Sequence, residues 1–167
     1  MPDEPVEPGT EPGPGQESVW DYPRPPAVVK TERHLVVEHQ GVLVAETREA
    51  LKVMETSSPP TYYFAARDVN TELLRRNPHR TLCEWKGRAS YYDLVVEGAA
   101  VEDVAWSYPD PTPDYRTLRG RFAFYPQKLD CSVDGEHVVA QKGAFYGGWI
   151  TSDLVGPFKG GPDSGSW

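Results

Sequence analysis

The feature that most narrows the fold is a succession of short strand-forming runs, each closed by turn residues, with little helical periodicity between them. His34–His39 and Val42–Glu46 flank Gln40-Gly41, the pattern of a β-hairpin. Leu82–Trp85 and Ser90–Glu97 stand on either side of Lys86-Gly87, and Val101–Trp106, Arg121–Tyr125 and His137–Gln141 continue the series. Such spacing predicts an all-β domain, either a sandwich or an open barrel. Helix is confined to three candidates: Thr47–Met54, Val69–Arg76 behind an Asp68 cap, and Pro113–Leu118.

The ends differ in character from this middle. Residues 1–18 mix Pro, Gly and five carboxylates with no Lys or Arg and almost nothing apolar. A stretch of that composition cannot offset its ordering entropy by burial, so 1–18 is expected to be a disordered acidic tail. A single β domain is expected over 19–160, with a short tail at 161–167. The domain would open with an arm in which Trp20 and Tyr22 alternate with prolines; two aromatics are costly to leave in water, so the arm should dock. Net charge is -8, yet five of those charges belong to the tail, and the remainder is near balance. No basic excess is available to coat nucleic acid. No apolar run reaches the roughly 18 residues of a membrane span, and the first residues lack the pattern of a signal peptide. With two cysteines only, Cys83 and Cys131, the expectation is a reduced, cytoplasmic domain without membrane or nucleic-acid partners.

Aromatic residues are placed unevenly. The chain has five Trp, nine Tyr and five Phe, and all but Trp20 and Tyr22 lie from Tyr62 onward. Neighbours such as Tyr91-Tyr92 and Phe124-Tyr125 must point to opposite faces of a strand. One of each pair can be core, Phe124 among them, while the other meets solvent, a partner or a pocket. From Gly143 to the end, glycines interleave with Phe145, Tyr146, Trp149, Ile150 and Phe158, so this segment should wrap its own domain or that of a second subunit.

Four motifs carry a resemblance. Thr56-Ser-Ser-Pro-Pro-Thr-Tyr-Tyr63, Cys83-Glu-Trp-Lys-Gly-Arg-Ala-Ser-Tyr91, Ala105-Trp-Ser-Tyr-Pro-Asp-Pro111 and Phe122-Ala-Phe-Tyr-Pro126 follow one another in the chain. Together they resemble the bacterial "domain of unknown function 427" family, over about Trp20 to Gly160. The resemblance implies a β-tent-like fold, two antiparallel sheets leaning together over a pocket. It implies no established activity, although a nucleotidyltransferase label is sometimes attached.

The residues give that label little support. Nucleotidyl transfer needs carboxylates holding divalent metal beside a triphosphate, often behind a Gly-Ser loop. The Gly-Ser pair here, Gly165-Ser166, has no carboxylate after it, Asp134-Gly135 looks like a turn, and no GxxxxGK loop exists. Zinc knuckles of β-tent relatives are missing, and His34, His39, His79 and His137 form no ligand-spaced set, so no metal and no cofactor are expected. Cys83 is expected as a buried apolar residue, since positions 83 and 86 fall on opposite faces of an unbroken strand.

What remains is an aromatic pocket. Trp85, Trp106 and Trp149, with Tyr63, Tyr91, Tyr108 and Tyr125, can build concave apolar walls carrying a few hydroxyl and indole donors. Lys86 would sit at the rim and pair with a carboxylate or phosphate. The leading expectation is therefore small-ligand binding. The alternatives are an enzyme on a small or nucleotide-like substrate, using Lys86, Tyr91 and Asp130, and a homodimeric module whose aromatics form the interface.

Overall fold

A computed structural model describes residues 11–143 and 145–160. The sequence places a two-residue strand first, β1 (Glu17–Ser18), then a 3-10 turn over Val19–Asp21 and an edge strand, β2 (Ala27–Lys30). β3 (Leu35–His39) and β4 (Val42–Thr47) form the expected hairpin, with Gln40 and Gly41 both at positive φ in its turn. β5 (Leu51–Glu55) and β6 (Ser58–Tyr63) form the next. Three strands, β7 (Leu74–Cys83), β8 (Gly87–Val96) and β9 (Ala99–Ser107), make a meander. After a 3-10 segment at Pro113–Leu118 come β10 (Phe122–Phe124), β11 (Asp130–Val133) and β12 (Glu136–His137). β13 (Val139–Ala140), β14 (Trp149–Ile150) and β15 (Leu154–Val155) complete the order.

The domain is all-β, as expected. Its larger sheets are antiparallel: β10-β9-β8-β7, β12-β11-β3-β4 and β2-β5-β6. Just beyond β6, Phe64 and Phe122 exchange both backbone hydrogen bonds, at 2.8 and 2.9 Å, and so join the first and third sheets edge to edge. The joined surface uses its two faces differently. One face packs on the β3/β11 sheet through Leu94, Val104, Phe64 and Phe124 against Leu35, Val37 and Val133. The other face carries Leu51, Val53, Tyr63, Tyr91, Trp106 and Tyr125, closed at one end by Tyr115 and Leu118. Alternation divides the aromatic pairs between the faces. Tyr62, Tyr92 and Phe124 belong to the first, Tyr63, Tyr91 and Tyr125 to the second.

Two expected helices are absent. Thr47–Met54 is a turn and a strand: Thr47 Oγ1 accepts from the Glu49 N–H at 2.9 Å, and β5 then pairs on both sides, which fixes Leu51 and Val53 inward by period two. Over Val69–Arg76 only one 3-10 turn forms, Thr71–Leu73, before β7 begins. Asp68 caps nothing there, because its carboxylate accepts from the Thr47 hydroxyl at 2.8 Å. Pro113–Leu118 is helical, of the 3-10 kind. His137–Gln141 splits into β12 and β13, whose partners are different strands, β11 and β14.

The expected limit of the tail at Ser18 moves inward. Glu17 and Ser18 pair in parallel with Leu154 and Val155, Tyr22 donates to the Glu17 carboxylate, and Lys52 reaches it at 2.9 Å. Residues 1–10 of that tail, and 161–167, lie outside the described residues. The arm docks: Val19 and Tyr22 are buried with Leu154, and the Trp20 indole donates to the Pro157 carbonyl at 2.7 Å. No helix among the described residues is long and apolar enough to cross a membrane.

Candidate functional site

On the second face the joined sheets leave a cavity of about 300 Å³. β5 and β6 contribute Val53, Thr61 and Tyr63, alternate residues that share one side of their hairpin. The β7–β8 turn contributes Cys83, Trp85 and Lys86, and the strands behind it Thr81, Tyr91 and Trp106. Tyr108, Tyr125 and the backward-running segment at Phe145–Gly147 close the remaining walls. The fold thus brings together Tyr63, Trp85, Lys86, Tyr91, Trp106, Tyr108 and Tyr125, residues spread over more than sixty positions of chain.

The rings are locked to one another. Trp106 stands edge-on to Tyr63 at 6.1 Å and its indole N–H donates to the Tyr63 hydroxyl at 3.0 Å. Tyr125 leans on Trp106 at 4.7 Å and stacks with Tyr91 at 6.5 Å, while His79 covers the far face of Tyr91 at 4.1 Å. The Tyr91 hydroxyl meets Thr81 Oγ1 at 3.0 Å, and that of Tyr125 donates to the Phe145 carbonyl at 3.0 Å. Burial pushes Tyr63, Tyr108 and Tyr125 well above the usual phenol range. At neutral pH these groups therefore present hydroxyls, not phenolates. They can orient a ligand; they are poor proton acceptors.

Lys86 is buried rather than at the rim, with 9% of its surface exposed. The turn explains this. β7 ends at Cys83, Gly87 takes a φ of 108°, and the Asp110–Thr112 loop packs over the bend. The Thr112 N–H donates to the Lys86 carbonyl at 3.0 Å, and the Thr112 hydroxyl to the Trp85 carbonyl at 2.6 Å. Because the strand is broken, Cys83 and Lys86 both face the cavity, contrary to the alternation expected of a continuous strand. The ammonium lies 6.0 Å from the Tyr108 ring centroid. Burial opposes its charge, but the neighbouring Tyr63, Cys83 and Glu55 outweigh that and hold its pKa above the ordinary lysine value. It is a cation at neutral pH.

Two residues expected at the site stand elsewhere. Trp149 turns into the opposite core, 5.2 Å from Tyr62 and 6.1 Å from Phe64, with its indole donating to the Phe124 carbonyl at 3.0 Å. Its β14 pairs with β13, which sends this ring to the first face. Asp130 is exposed on β11 opposite Glu38, in the β3/β11 sheet, and is not among the residues that line the cavity with Lys86 and Tyr91. Conversely, sequence reasoning missed the wall made by Gln141, Tyr146 and Gly147. Tyr146-Gly147 lay in a segment expected to wrap, which is the available signal. Gln141 gave none: it acts through its amide, accepting from the Gly148 N–H at 3.0 Å and donating to the Lys159 carbonyl at 2.6 Å. Among the described residues, no three His, Cys, Asp or Glu side chains come together as a metal-holding group.

Comparison with known families bears on this arrangement. The family model described as "Domain of unknown function (DUF427)" matches residues 27–135. The chain belongs to the DUF427 family. No curated protein matches it. The DUF427 span contains Tyr63, Trp85, Lys86, Tyr91, Trp106, Tyr108 and Tyr125, whereas Gln141, Phe145, Tyr146 and Gly147 lie beyond it.

Proposed function

We propose that this DUF427 protein binds a small ligand in the aromatic cavity, as a bacterial cytoplasmic domain of β-tent type. The observation that carries the reading is the convergence of Tyr63, Tyr91, Trp106, Tyr108 and Tyr125 with a buried cation on a single concavity of about 300 Å³. A core built only to be stable would fill that volume, since interiors pack close to crystal density. Ligand pockets have the opposite composition of needs, an apolar concavity of roughly 300–1,000 Å³ with a few placed polar groups. Leu82 and Phe145, exposed by 75% and 58% at the cavity margin, add an apolar lip.

Thermal unfolding across a panel of metabolites tests this. A ligand at 100 times its dissociation constant adds about 2.7 kcal/mol, a shift of several degrees for a domain of this size. The shift should disappear in Trp106→Leu. A hit whose effect survives that substitution binds elsewhere and defeats the reading; turnover of the hit would make the protein an enzyme.

A further inference from the structure

Among the described residues the buried charged side chains are Asp93 and Lys86. Asp93 is supplied with donors: Asn77 Nδ2 at 2.6 Å, the Asp103 N–H at 3.0 Å, and Arg75 at 3.9 Å. Lys86 has no carboxylate within ion-pair distance among the described residues. Its nearest charged influence, Glu55, is itself tied to Arg24 at 3.4 Å. Burial keeps the Tyr63 hydroxyl beside it protonated at pH 7. Burial works against this ammonium, and no carboxylate of the described residues sits against it as a direct partner. Lys86 lines the cavity, so a ligand bound there can supply a counter-charge.

The surroundings fix how much charge and of what shape. Among the described residues the cavity lining contains no arginine, and its second lysine, Lys159, stands 5.3 Å over the Tyr146 ring. Glu55 and Glu84 also line the cavity and repel a highly charged anion. A triphosphate, which needs several cations or backbone N–H groups around it, is therefore disfavoured. Trp106 and Tyr125, at 4.7 Å and tilted by 53°, offer aromatic faces to a ring.

We infer that the cavity takes a small aromatic monocarboxylate, with its carboxylate on Lys86 Nζ and its ring against Trp106 and Tyr125. This rests on the ligand-binding reading above and narrows it to one chemical class.

The test compares matched probes on the full chain by titration of tryptophan fluorescence and by calorimetry: benzoate and indole-3-carboxylate, their neutral amides, and ATP. The acids should bind at least about tenfold more tightly than the amides, and Lys86→Met should abolish that preference. Lys86→Gln serves as a second variant. In the wild type, the Lys86 side-chain resonance should move on adding benzoate and stay put on adding benzamide. Amides binding as well as acids, acids binding unchanged to both variants, or ATP binding more tightly than either acid overturns the inference and leaves the cavity reading standing. If neither acids nor amides bind at about 10 mM, the inference falls, and the cavity reading stands or falls on the metabolite panel.

Discussion

Truncating one aromatic on each face of the joined sheet separates core from cavity wall. Phe124 is fully buried, with its ring edge-on to Phe64 at 5.3 Å, and Phe124→Ala removes that whole ring from a filled interior. The expected loss is about 3–5 kcal/mol, a large part of the 5–15 kcal/mol that holds a typical domain. Trp106 is 7% exposed, so it is more buried than a pocket residue need be. One of its sides, however, already borders empty volume, and Trp106→Ala enlarges that space instead of opening a new one. Lost packing on Tyr125 and the hydrogen bond to Tyr63 should together cost about 2–4 kcal/mol. Trp85 is half-buried on a turn, and Trp85→Ala should cost about 1 kcal/mol. Urea unfolding reads the series directly: with a slope of roughly 2 kcal/mol/M, the midpoint falls by about 2 M for Phe124→Ala and about 0.5 M for Trp85→Ala. A loss for Trp85→Ala equal to that for Phe124→Ala would show the cavity wall to be ordinary core and refute the reasoning.

Gly147→Ala places a Cβ 2.4 Å from Trp106 Cη2 and 3.2 Å from Tyr125, so it should cost about 1–3 kcal/mol and weaken probe binding; a neutral effect on the melting temperature contradicts the packing. The Arg33 guanidinium, 2.8 Å from Asp134 and 2.7 Å from Asp153, and the His34 N–H hold the Asp134 carboxyl below its usual range; burial works to raise Asp153, but Thr151 and Arg33 outweigh it. Depressed folded values mean this stabilisation is complete above the ordinary carboxylate pKa near 4 and is lost as pH falls through the lower folded values. Arg33→Met should therefore cost about 1 kcal/mol at pH 7 after solvent screening and progressively less below pH 4, and a penalty independent of pH rules the clip out. Cys131 is 1% exposed and burial pushes its thiol up, whereas Cys83 faces the cavity. A thiol reagent should label one cysteine in the native protein, a signal lost in Cys83→Ser; equal rates for both would contradict this. Phe145→Ala should leave the unfolding midpoint unchanged within about 0.5 kcal/mol while loosening benzoate, and unaltered affinity would remove this residue from the site.

How much of this the sequence discloses depends on whether a feature is local. The β3–β4 hairpin follows from Gln40-Gly41, both able to adopt positive φ, between two alternating runs. The division of Tyr91 from Tyr92 and of Phe124 from Tyr125 follows from the pleat alone, which separates the two members of a pair without saying which of them turns to the cavity. The failures lie where a non-local contact decides. Nothing around Thr47–Met54 announces that β2 and β6 will flank it, so its mixed pattern reads equally well as helix. Trp149 carries the same local signal as Trp106, and only its pairing with β13 sends it to the other core. Cys83 and Lys86 obey strand alternation until the Asp110–Thr112 loop, more than twenty positions away, packs on the bend between them.

The two faces of the joined sheet explain how an open aromatic cavity is held open. Left to themselves, Trp106, Tyr125 and Tyr63 would gain by collapsing onto one another, because apolar surface facing a void forfeits its contacts. Each is anchored to a backbone whose alternate residues are committed to the opposite core: Ala105 and Phe124 beside Trp106 and Tyr125, and Tyr62 beside Tyr63. Collapse would have to drag those buried neighbours with it. The mouth is built differently. Phe145, Tyr146 and Gly147 lie beyond the span that matches DUF427, and the Phe145 and Tyr146 carbonyls accept from the Tyr125 hydroxyl and the Gln127 side-chain amide. The floor and its cation thus come from the family-matched part of the chain, and the shape of the opening from the segment beyond it. Binding strength should accordingly follow Lys86 and the floor, while discrimination among ligands of similar charge should follow the C-terminal wall.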